Sequence, residues 1–410
     1  MKYHSRHLED KLTRYADQFK VVVLVGARQV GKSTLVEKTF PELKKIVFDP
    51  VQDLHDARKN PDRFLDSFPS PLILDEVQYA PELLPAIKRR VDLTQNKGQY
   101  FLTGSHNFAV LRDVAESMAG RAGILRIDGF TPAELINHSS EKSWLSTYLD
   151  NSKSFNPETD VSPCDTRLSL PEYLWQGQLP EVSLLAPESA PDFYSSYVQT
   201  YVERDIRRMA DISDLRQFGL FLRLCAALSG QEINHSQLGR ELGIHHTTAQ
   251  KWLHLLSGSY QWMELPGYTQ NSIKKLTRKP KGHFQDSGLA CYLNAISTPA
   301  ALEQNPLYAH LFESWGANWI SRQAARLPLA PPMYHWRTQN GAEVDVVLEY
   351  NGQLYPIEFK ASEKLNKHDA RGILAFQKTY PNATNGIIVY GGSNAFHLTE
   401  NTAAIPWNSL

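Results

Sequence analysis

The chain has few cysteines, no long apolar run and almost no net charge, and each shortage narrows what it can be. Its three cysteines lie far apart in 410 residues and lack metal-ligand spacing, so we expect reduced thiols and a cytoplasmic protein. No apolar run approaches the roughly 18 residues of a spanning helix, and the first residues lack a signal-peptide core, so we expect no membrane partner. A net charge of −1 gives no overall attraction to nucleic acid, so such binding requires a local basic patch.

What the sequence does contain is a glycine-rich phosphate-loop motif. Residues 26–34 read GARQVGKST directly after the apolar run Val21–Val25, which predicts a buried strand, a tight turn and a helix. In such a loop the backbone N–H groups and the helix N-terminus bind phosphate, Lys32 reaches the β- and γ-phosphates, and the Ser33 hydroxyl ligates Mg²⁺. We therefore predict an ATP and Mg²⁺ site. Its cofactor-binding residues are Gly26, Ala27, Arg28, Gln29, Val30, Gly31, Lys32, Ser33 and Thr34.

Two adjacent acids follow a second apolar strand about forty residues later, in the order expected of such a site. The segment 72–76 reads LILDE, which places Asp75 at the predicted strand end. There Asp75 would hold the Mg²⁺ shell, and Glu76 would orient or deprotonate the attacking water. The alternative is an ordinary strand end with two solvated acids.

Two more residues are candidates for contact with the transferred phosphate. Ser105, with Thr103 behind it, follows another predicted strand and could contact the γ-phosphate or the water. Arg121 stands between small residues and could stabilise phosphate charge, in cis or from a neighbouring subunit, which makes a homo-oligomer a candidate partner. The alternatives are a plain strand-end turn and an arginine that binds backbone carbonyls or an acid.

The chain changes character along its length, which predicts several domains and an α/β fold class. Residues 137–168 are rich in Ser, Asn, Asp and Pro and predict a linker or surface insertion, and residues 169–228 look helical. In residues 1–136 short apolar strands alternate with helices, which is typical of a parallel sheet covered on both faces. These strands are predicted at Val21–Val25, Lys45–Phe48, Pro71–Leu74, Gln99–Leu102 and Ile124–Ile127.

Residues 229–300 have the spacing of a helix-turn-helix followed by a wing. Helices are predicted at His235–Leu242 and His246–Leu256, and the wing strands at Trp262–Tyr268 and His283–Phe284. Phosphate and base contacts from such a module make DNA a candidate partner, whereas packing between domains is the alternative. The second helix would offer His245, His246, Thr247, Gln250 and Lys251. The basic wing comprises Lys274, Lys275, Arg278, Lys279 and Lys281.

An Asn-Gly pair at 351–352 predicts a two-residue β-hairpin between Glu343–Glu349 and Leu354–Lys360. A second Asn-Gly pair at 340–341 predicts a third strand before it. If the turn has two residues, the numbers of directly opposed residues add to 703. The register of the hairpin therefore follows from the residue numbers alone.

This register places four charged residues on one face of the hairpin, with Asp345 opposite Glu358 and Glu343 opposite Lys360. Two opposed carboxylates repel each other unless a cation compensates, and oxygen ligands suit Mg²⁺ or Mn²⁺. Lys360 could then stabilise developing charge or position a water. The alternative is a solvent-facing hairpin with a simple Glu343–Lys360 ion pair.

The chain resembles a large prokaryotic family of AAA-type, STAND-related P-loop ATPases. The C-terminal region of that family has unknown function and looks like a winged helix followed by a PD-(D/E)XK nuclease-like fold. The resemblance covers nearly the whole chain. On the ATPase side it rests on GARQVGKSTL at 26–35, LILDEVQYAPELL at 72–84, FLTGS at 101–105 and AGR at 119–121. On the C-terminal side it rests on YVERDI at 201–206, FQDSGLACYL at 284–293, WRTQNGAEVDVVLE at 336–349 and PIEFKAS at 356–362.

The resemblance implies an ATPase domain at 1–136, a winged helix at 229–300 and a small α/β nuclease-like domain at 301–410. Nuclease-like relatives use an Asp and then Glu-x-Lys on the next strand, a pattern that Asp345, Glu358 and Lys360 match. Two further residues fit polar positions on the flanking helices, namely Glu313 and Gln377. This implies a second Mg²⁺ or Mn²⁺ site.

The resulting prediction is an ATP-hydrolysing protein that couples nucleotide state to a DNA-associated, nuclease-like module. The alternative is a nucleotide-gated DNA-binding or regulatory switch whose nuclease-like fold is catalytically inert. The two interpretations differ in whether the carboxylates around Asp345 and Glu358 perform chemistry or only carry the fold.

Overall fold

The structure, a computed structural model, describes residues 3–104, 118–139, 142–200, 214–271 and 278–409. It divides into two compact units. The N-terminal unit comprises Ser5–Gly129 with Gly258–Tyr260, and the C-terminal unit comprises mainly Phe130–Ser257 and Gln261–Leu410. The segments expected to be helical, winged-helix and nuclease-like domains all lie in the C-terminal unit.

The N-terminal unit is built on a five-stranded parallel sheet, which confirms the predicted α/β architecture. The strand order is β2-β3-β4-β1-β5, so β1 is paired on both edges and buries every residue of its apolar run. The strands are β1 Val21–Val25, β2 Lys44–Val47, β3 Leu72–Asp75, β4 Tyr100–Gly104 and β5 Ala122–Arg126. The α-helices are Glu9–Gln18, Lys32–Thr39, Pro61–Ser67 and Leu83–Asp92, with 3₁₀ turns at Leu54–Asp56 and Val77–Tyr79.

The C-terminal unit begins with short helices, and the described residues of 137–168, predicted as a linker or surface insertion, include two helices and do not form an extended linker. Trp144 and Tyr148 are fully buried, and the Tyr148 hydroxyl donates to the Asn385 carbonyl at 2.5 Å. Aromatic anchors thus pack this polar segment onto the unit despite its composition. The helices of this region are Pro132–Leu135, Trp144–Asp150, Pro157–Asp160, Leu170–Gln176, Pro180–Ser183, Ala190–Thr200 and Leu215–Ala227, with a 3₁₀ turn at Pro187–Ser189.

Two helices and an antiparallel sheet follow where the sequence predicts a winged helix. The helices span His235–Leu242 and His246–Gly258, and Gly243 between them adopts the left-handed conformation that a tight turn requires. The sheet has the order β6-β8-β7. Its strands are β6 Gln231–Glu232, β7 Trp262–Leu265 and β8 Lys281–Phe284. Assignment of these elements as a DNA-binding winged helix stays a prediction.

The last part of the chain forms a six-stranded mixed sheet of order β13-β14-β12-β11-β10-β9. Its strands are β9 Met333–Arg337, β10 Glu343–Tyr350, β11 Gln353–Lys360, β12 Gly386–Tyr390, β13 Phe396–Thr399 and β14 Thr402–Pro406. The accompanying helices are Ser287–Leu293, Pro299–Glu303, Tyr308–Ala324 and Arg371–Thr379, preceded by a 3₁₀ turn at Lys367–Ala370. None of the helices in the described ranges is long and apolar enough to cross a bilayer.

The hairpin register computed from the sequence is confirmed, since β10 and β11 pair from Val346 opposite Ile357 to Tyr350 opposite Gln353. Strict alternation along β10 is wrong, however. A bulge against β9 lies between Val344 and Val347, and it brings both valines into one core cluster. The sequence carries no residue that marks this bulge.

Candidate functional site

The phosphate loop lies between β1 and the helix Lys32–Thr39, at the carboxyl end of the parallel sheet. Gly26 and Gly31 both have positive φ, and a Cβ on Gly26 would lie 2.1 Å from the Ile127 carbonyl oxygen. The Lys32 ammonium donates to the carbonyls of Ala27 at 2.7 Å and Gly26 at 3.1 Å. These lysine contacts hold the loop in the curled shape that a phosphate would occupy.

Asp75 at the end of β3 is the centre of a hydrogen-bond network beside this loop. Its Oδ1 accepts from the Ser33 hydroxyl at 2.7 Å and also from the Thr103 hydroxyl. Thr103 Oγ1 in turn accepts the backbone N–H of Glu76 at 3.2 Å, and Glu76 has a left-handed backbone. A hydroxyl and a carboxylate at this separation are an oxygen donor set that fits Mg²⁺. The structure thus brings Ser33, Asp75 and Glu76 together as the motif spacing predicts.

Three other predicted site residues are Arg28 in the loop, Glu76 after β3 and Ser105 after β4. The Arg28 guanidinium is 3.5 Å from the Tyr79 hydroxyl, and the Glu76 carboxylate accepts from the Gln78 amide. Ser105 lies outside the described residues. Thr103, which the sequence ranked behind Ser105, makes the contacts that a residue at a neighbouring strand tip is expected to make.

The structure places Arg121 far from the phosphate loop of its own chain, so of the two predicted alternatives the geometry disfavours action in cis. Arg121 precedes β5, and Ala122 pairs with Val21 at the amino end of β1, whereas the loop follows Val25. The length of a five-residue strand, about 16 Å, therefore separates Arg121 from the phosphate site. Its guanidinium pairs with the Asp92 carboxylate and donates to the Ala119 carbonyl at 2.9 Å.

Two cations near the phosphate site were not expected from the sequence. The buried Arg6 donates to the carbonyls of Val30 at 2.8 Å and Asp128 at 2.5 Å, so it clamps the loop from behind. Lys45 Nζ lies 3.6 Å from Asp75 Oδ2. Neither residue belongs to a motif, and each reaches the site only through the fold.

A second group of charged residues lies in the C-terminal unit. Oxygen atoms of Glu313, Glu343 and Asp345 all lie within 4.8 Å of one another, which is the spacing of ligands to one metal ion. The Lys281 ammonium lies among them, 2.6 Å from Glu313 and 3.4 Å from Asp345, and it also pairs with Glu343. We call these four side chains the acid cluster. Lys281 is only 3% exposed, so its assignment to a solvent-facing basic wing is wrong.

Glu358 and Lys360 adjoin the acid cluster. Burial and the charge of Asp345 raise the pKa of Glu358 well above its usual value, which favours the neutral carboxyl beside Asp345. Asp345 also accepts the backbone N–H of Phe359 at 2.9 Å. Lys360 Nζ lies 3.5 Å from Glu358, so the alternative Glu343–Lys360 pair is not the one that forms.

The carboxyl groups of the acid cluster shift one another's pKa values because they are buried and close together. Burial and the charge of Asp345 raise the pKa of Glu313 to about 8, although Lys281 acts in the opposite direction. Burial opposes the charge of Asp345, yet the ammonium groups of Lys281 and Lys360 lower the pKa of that residue. A divalent cation bound here would favour the ionised carboxylates, and their oxygen atoms are a donor set that fits Mg²⁺ or Mn²⁺.

The acid cluster and Glu358 line a cavity of about 880 Å³. The cavity is also lined by Asp369 and by five basic side chains, which we call the basic rim: Arg337, Lys360, Lys364, His368 and Arg371. Gln377 is not part of its lining, because the side-chain amide of that residue donates to the Thr384 carbonyl at 2.7 Å. The structure therefore does not bring Gln377 to the acid cluster, and its role at the site stays a prediction. The helix that carries Gln377 begins at Arg371, directly after the 3₁₀ turn Lys367–Ala370.

The candidate DNA-contact residues differ in exposure, and two of them lie outside the described ranges. All five named residues of the second helix region are exposed, namely His245, His246, Thr247, Gln250 and Lys251. Arg278 and Lys279 are also exposed, and Arg278 donates to the Tyr268 carbonyl at 3.2 Å. Lys274 and Lys275 lie outside the described residues.

Three family models match separate parts of the chain. An AAA domain model matches residues 18–136. A domain of unknown function, DUF8612, matches residues 167–300, and a second one, DUF4143, matches residues 308–410.

Relatives and solved structures give the wider comparison. The uncharacterized proteins Rv2008c of Mycobacterium tuberculosis and Mb2031c of Mycobacterium bovis are each 26% identical, over 100% of this chain and 85% of their own length. The Walker-type ATPase PABY2304 of Pyrococcus abyssi has a TM-score of 0.45 and 16% identity, covering 70% of this chain and 94% of that one. A STAND protein with a tetratricopeptide repeat sensor, PH0952 of Pyrococcus horikoshii, has a TM-score of 0.27 and 14% identity, covering 77% and 48%.

The AAA match coincides with the part of the chain that carries the phosphate loop and the acid at the end of β3. The order of the parallel sheet places both at the same edge. The match at residues 18–136, together with this geometry, supports an AAA-type ATPase.

Proposed function

We propose that the chain binds and hydrolyses ATP in its N-terminal unit and that nucleotide state controls a DNA-associated, nuclease-like module in its C-terminal unit. The observation that carries the ATPase proposal is the 2.7 Å hydrogen bond from Ser33 to Asp75 beside Lys32. Mg²⁺ bound with ATP would neutralise charge that develops on the transferred phosphate.

Each residue of the loop region then has a defined task. Lys32 would exchange the carbonyls of Gly26 and Ala27 for the β- and γ-phosphates, because its ammonium already points into the curl of the loop. Glu76 would orient the attacking water, and Thr103 would hold Glu76 through the backbone N–H. Arg121 would reach a phosphate only from a second copy of the chain.

Steady-state ATP turnover tests this part of the proposal. Wild-type chain is expected to release phosphate in the presence of Mg²⁺, and Lys32→Ala is expected to abolish turnover because ATP loses its main cationic contact. Lys38→Ala, on the same helix, is the matched control and should turn over normally. Normal turnover in Lys32→Ala would overturn the assignment.

For the C-terminal unit, the acid cluster and Glu358 support a metal-dependent phosphodiesterase. Glu313, Glu343 and Asp345 would hold Mg²⁺ or Mn²⁺, which would stabilise negative charge on a phosphodiester. Lys360 would contact the developing charge from the cavity side. DNA and RNA should be cleaved with Mn²⁺ by wild type and by Glu349→Gln, an acid near the other end of β10, but not by Asp345→Asn.

A second candidate is a nucleotide-gated DNA-binding switch with an inert nuclease-like fold. The observation in its favour is the buried Lys281 ammonium, which already satisfies the carboxylates that a metal would need. Binding of DNA that depends on ATP and occurs without cleavage would select this candidate. Binding through the exposed helix should also weaken steeply with salt and on Lys251→Ala.

A further inference from the structure

Within the acid cluster, Lys281 comes from a different part of the unit than the three acids. Glu313 lies on the helix Tyr308–Ala324, and the other two acids lie on β10, whereas Lys281 is the first residue of β8. In the small antiparallel sheet Lys281 is paired with Leu265 on one side and Glu232 on the other. The cation is therefore supplied by the sheet next to the helix-turn-helix.

The backbone that carries Lys281 has little freedom to move. A Cβ on the adjacent Gly282 would lie 1.8 Å from the Trp262 ring, so β8 packs directly on that indole. The side chain of Lys281 is different, because four rotatable methylene groups let the ammonium move while its Cα stays in place. Lys281 also lines the cavity, so its ammonium can leave the acids toward that space.

The Lys281 ammonium occupies the position that a metal ion would need. It contacts all three carboxylates whose oxygen atoms lie within 4.8 Å of one another, at 2.6 Å from Glu313 and 3.4 Å from Asp345. A divalent ion bound to the same oxygens would lie within a few ångströms of the ammonium. Like charges at that distance, screened little in a buried site, exclude each other.

We propose that Lys281 is a tethered cation that competes with divalent metal for the acid cluster, so that metal binds only when the ammonium is displaced into the cavity. This inference rests on the metal site of the proposed function, and it adds that Lys281 regulates metal binding at that site. The displaced ammonium would join the basic rim, where a phosphate group of a bound polyanion would stabilise it. A polyanion and the metal would then each tighten the binding of the other, as linkage requires.

The test measures the Mn²⁺ affinity of the 410-residue chain without nucleotide. Free Mn²⁺ is quantified by electron paramagnetic resonance during the titration. Lys281→Met keeps the length of the side chain but removes its charge, and it should bind Mn²⁺ at least 10-fold more tightly than wild type. Lys281→Arg keeps the charge and should bind as weakly as wild type. Asp345→Asn in the Lys281→Met background should lose the added affinity.

Thermal unfolding provides a second readout if Lys281→Met folds poorly, because three acids then lack their ammonium. Mn²⁺ should raise the melting temperature of Lys281→Met by several degrees more than that of wild type. If wild type binds Mn²⁺ clearly and Lys281→Met binds it equally or more weakly, the proposed competition is overturned. The proposed metal site is then unaffected. Absence of binding by every variant would overturn the metal site itself and the competition with it.

Discussion

The Ser33 hydroxyl lies 2.7 Å from Asp75 Oδ1, so the residue that opens the phosphate-loop helix and the acid at the end of β3 already share a hydrogen bond. The pair is separated by 42 positions in the sequence and is brought together by the parallel sheet. Mg²⁺ arriving with ATP would replace this proton-mediated contact between two oxygen atoms, while Lys32 exchanges the loop carbonyls for the phosphates. The ATP site is in this sense preorganised.

Thr103→Val should slow ATP hydrolysis while leaving ATP binding nearly intact. The Thr103 hydroxyl joins Asp75 to the backbone N–H of Glu76, and valine keeps the shape but removes both contacts. We expect about a 10-fold loss in kcat and less than a threefold change in Kd. Thr39→Val, which removes a hydroxyl contact to Leu35 on the loop helix, is the control. An unchanged kcat in Thr103→Val would contradict this role.

Arg6→Ala should weaken both the fold of the N-terminal unit and ATP binding. Arg6 satisfies the carbonyls of Val30 and Asp128, so alanine leaves polar groups without their partner behind the loop. The expected loss in unfolding free energy is about 1–3 kcal/mol. Chemical denaturation and ATP titration check this, with the exposed Arg14→Ala as control. Wild-type values for both quantities would show that the clamp has no function.

Gly372→Ala should disturb the site around Glu358. A Cβ on Gly372 would lie 2.0 Å from the Glu343 carbonyl oxygen and 2.4 Å from Glu358 Oε1, so the helix would have to move away. We expect destabilisation of about 1–3 kcal/mol and loss of Mn²⁺ affinity. Gly219→Ala is the matched control, because that helical glycine has no atom within 4 Å of the added carbon. The control should be neutral or slightly stabilising.

Without divalent metal, the unfolding free energy should fall as the pH rises from 5 to 8. Burial and Asp345 raise the pKa of Glu313 to about 8, above its value of 4.5 in an unfolded chain. The folded state therefore holds a proton that the unfolded state releases, and the stabilisation present at low pH is lost through pH 8. Urea denaturation in a chelator should show a decrease of about 3–4 kcal/mol from Glu313, at about 1.4 kcal/mol per pKa unit, which Glu313→Gln removes while the part due to Glu358 remains. An equal decrease in Glu313→Gln would assign it to other groups.

The parts that the sequence predicted well are those whose chemistry is local. The phosphate loop and the acid of β3 are contiguous motifs, and the two-residue turn at Asn351 fixes the hairpin register by itself. The distance of Arg121 from the phosphate loop could also have been predicted from the sequence. A residue that precedes a parallel strand lies at the edge opposite the carboxyl ends, and hence away from the phosphate loop.

The acid cluster shows what the sequence could not provide. Lys281 stands in a basic segment, and nothing in its neighbours separates a buried lysine from a solvated one. Its partners Glu313 and Asp345 are 32 and 64 positions away and come from a helix and another sheet. Only tertiary structure brings these charges together. In the same way, the aromatic anchor Trp144 overrides the polar composition around it.

The most direct test of the account compares wild type with Glu76→Gln for both ATP binding and turnover on the same preparations. Glu76 is placed to act on water and lies beside, not within, the loop that holds the phosphates. We expect Glu76→Gln to bind ATP with Mg²⁺ as tightly as wild type and to hydrolyse it at least about 100-fold more slowly. Hydrolysis by Glu76→Gln at the wild-type rate, or failure of wild type to bind ATP, would contradict the account.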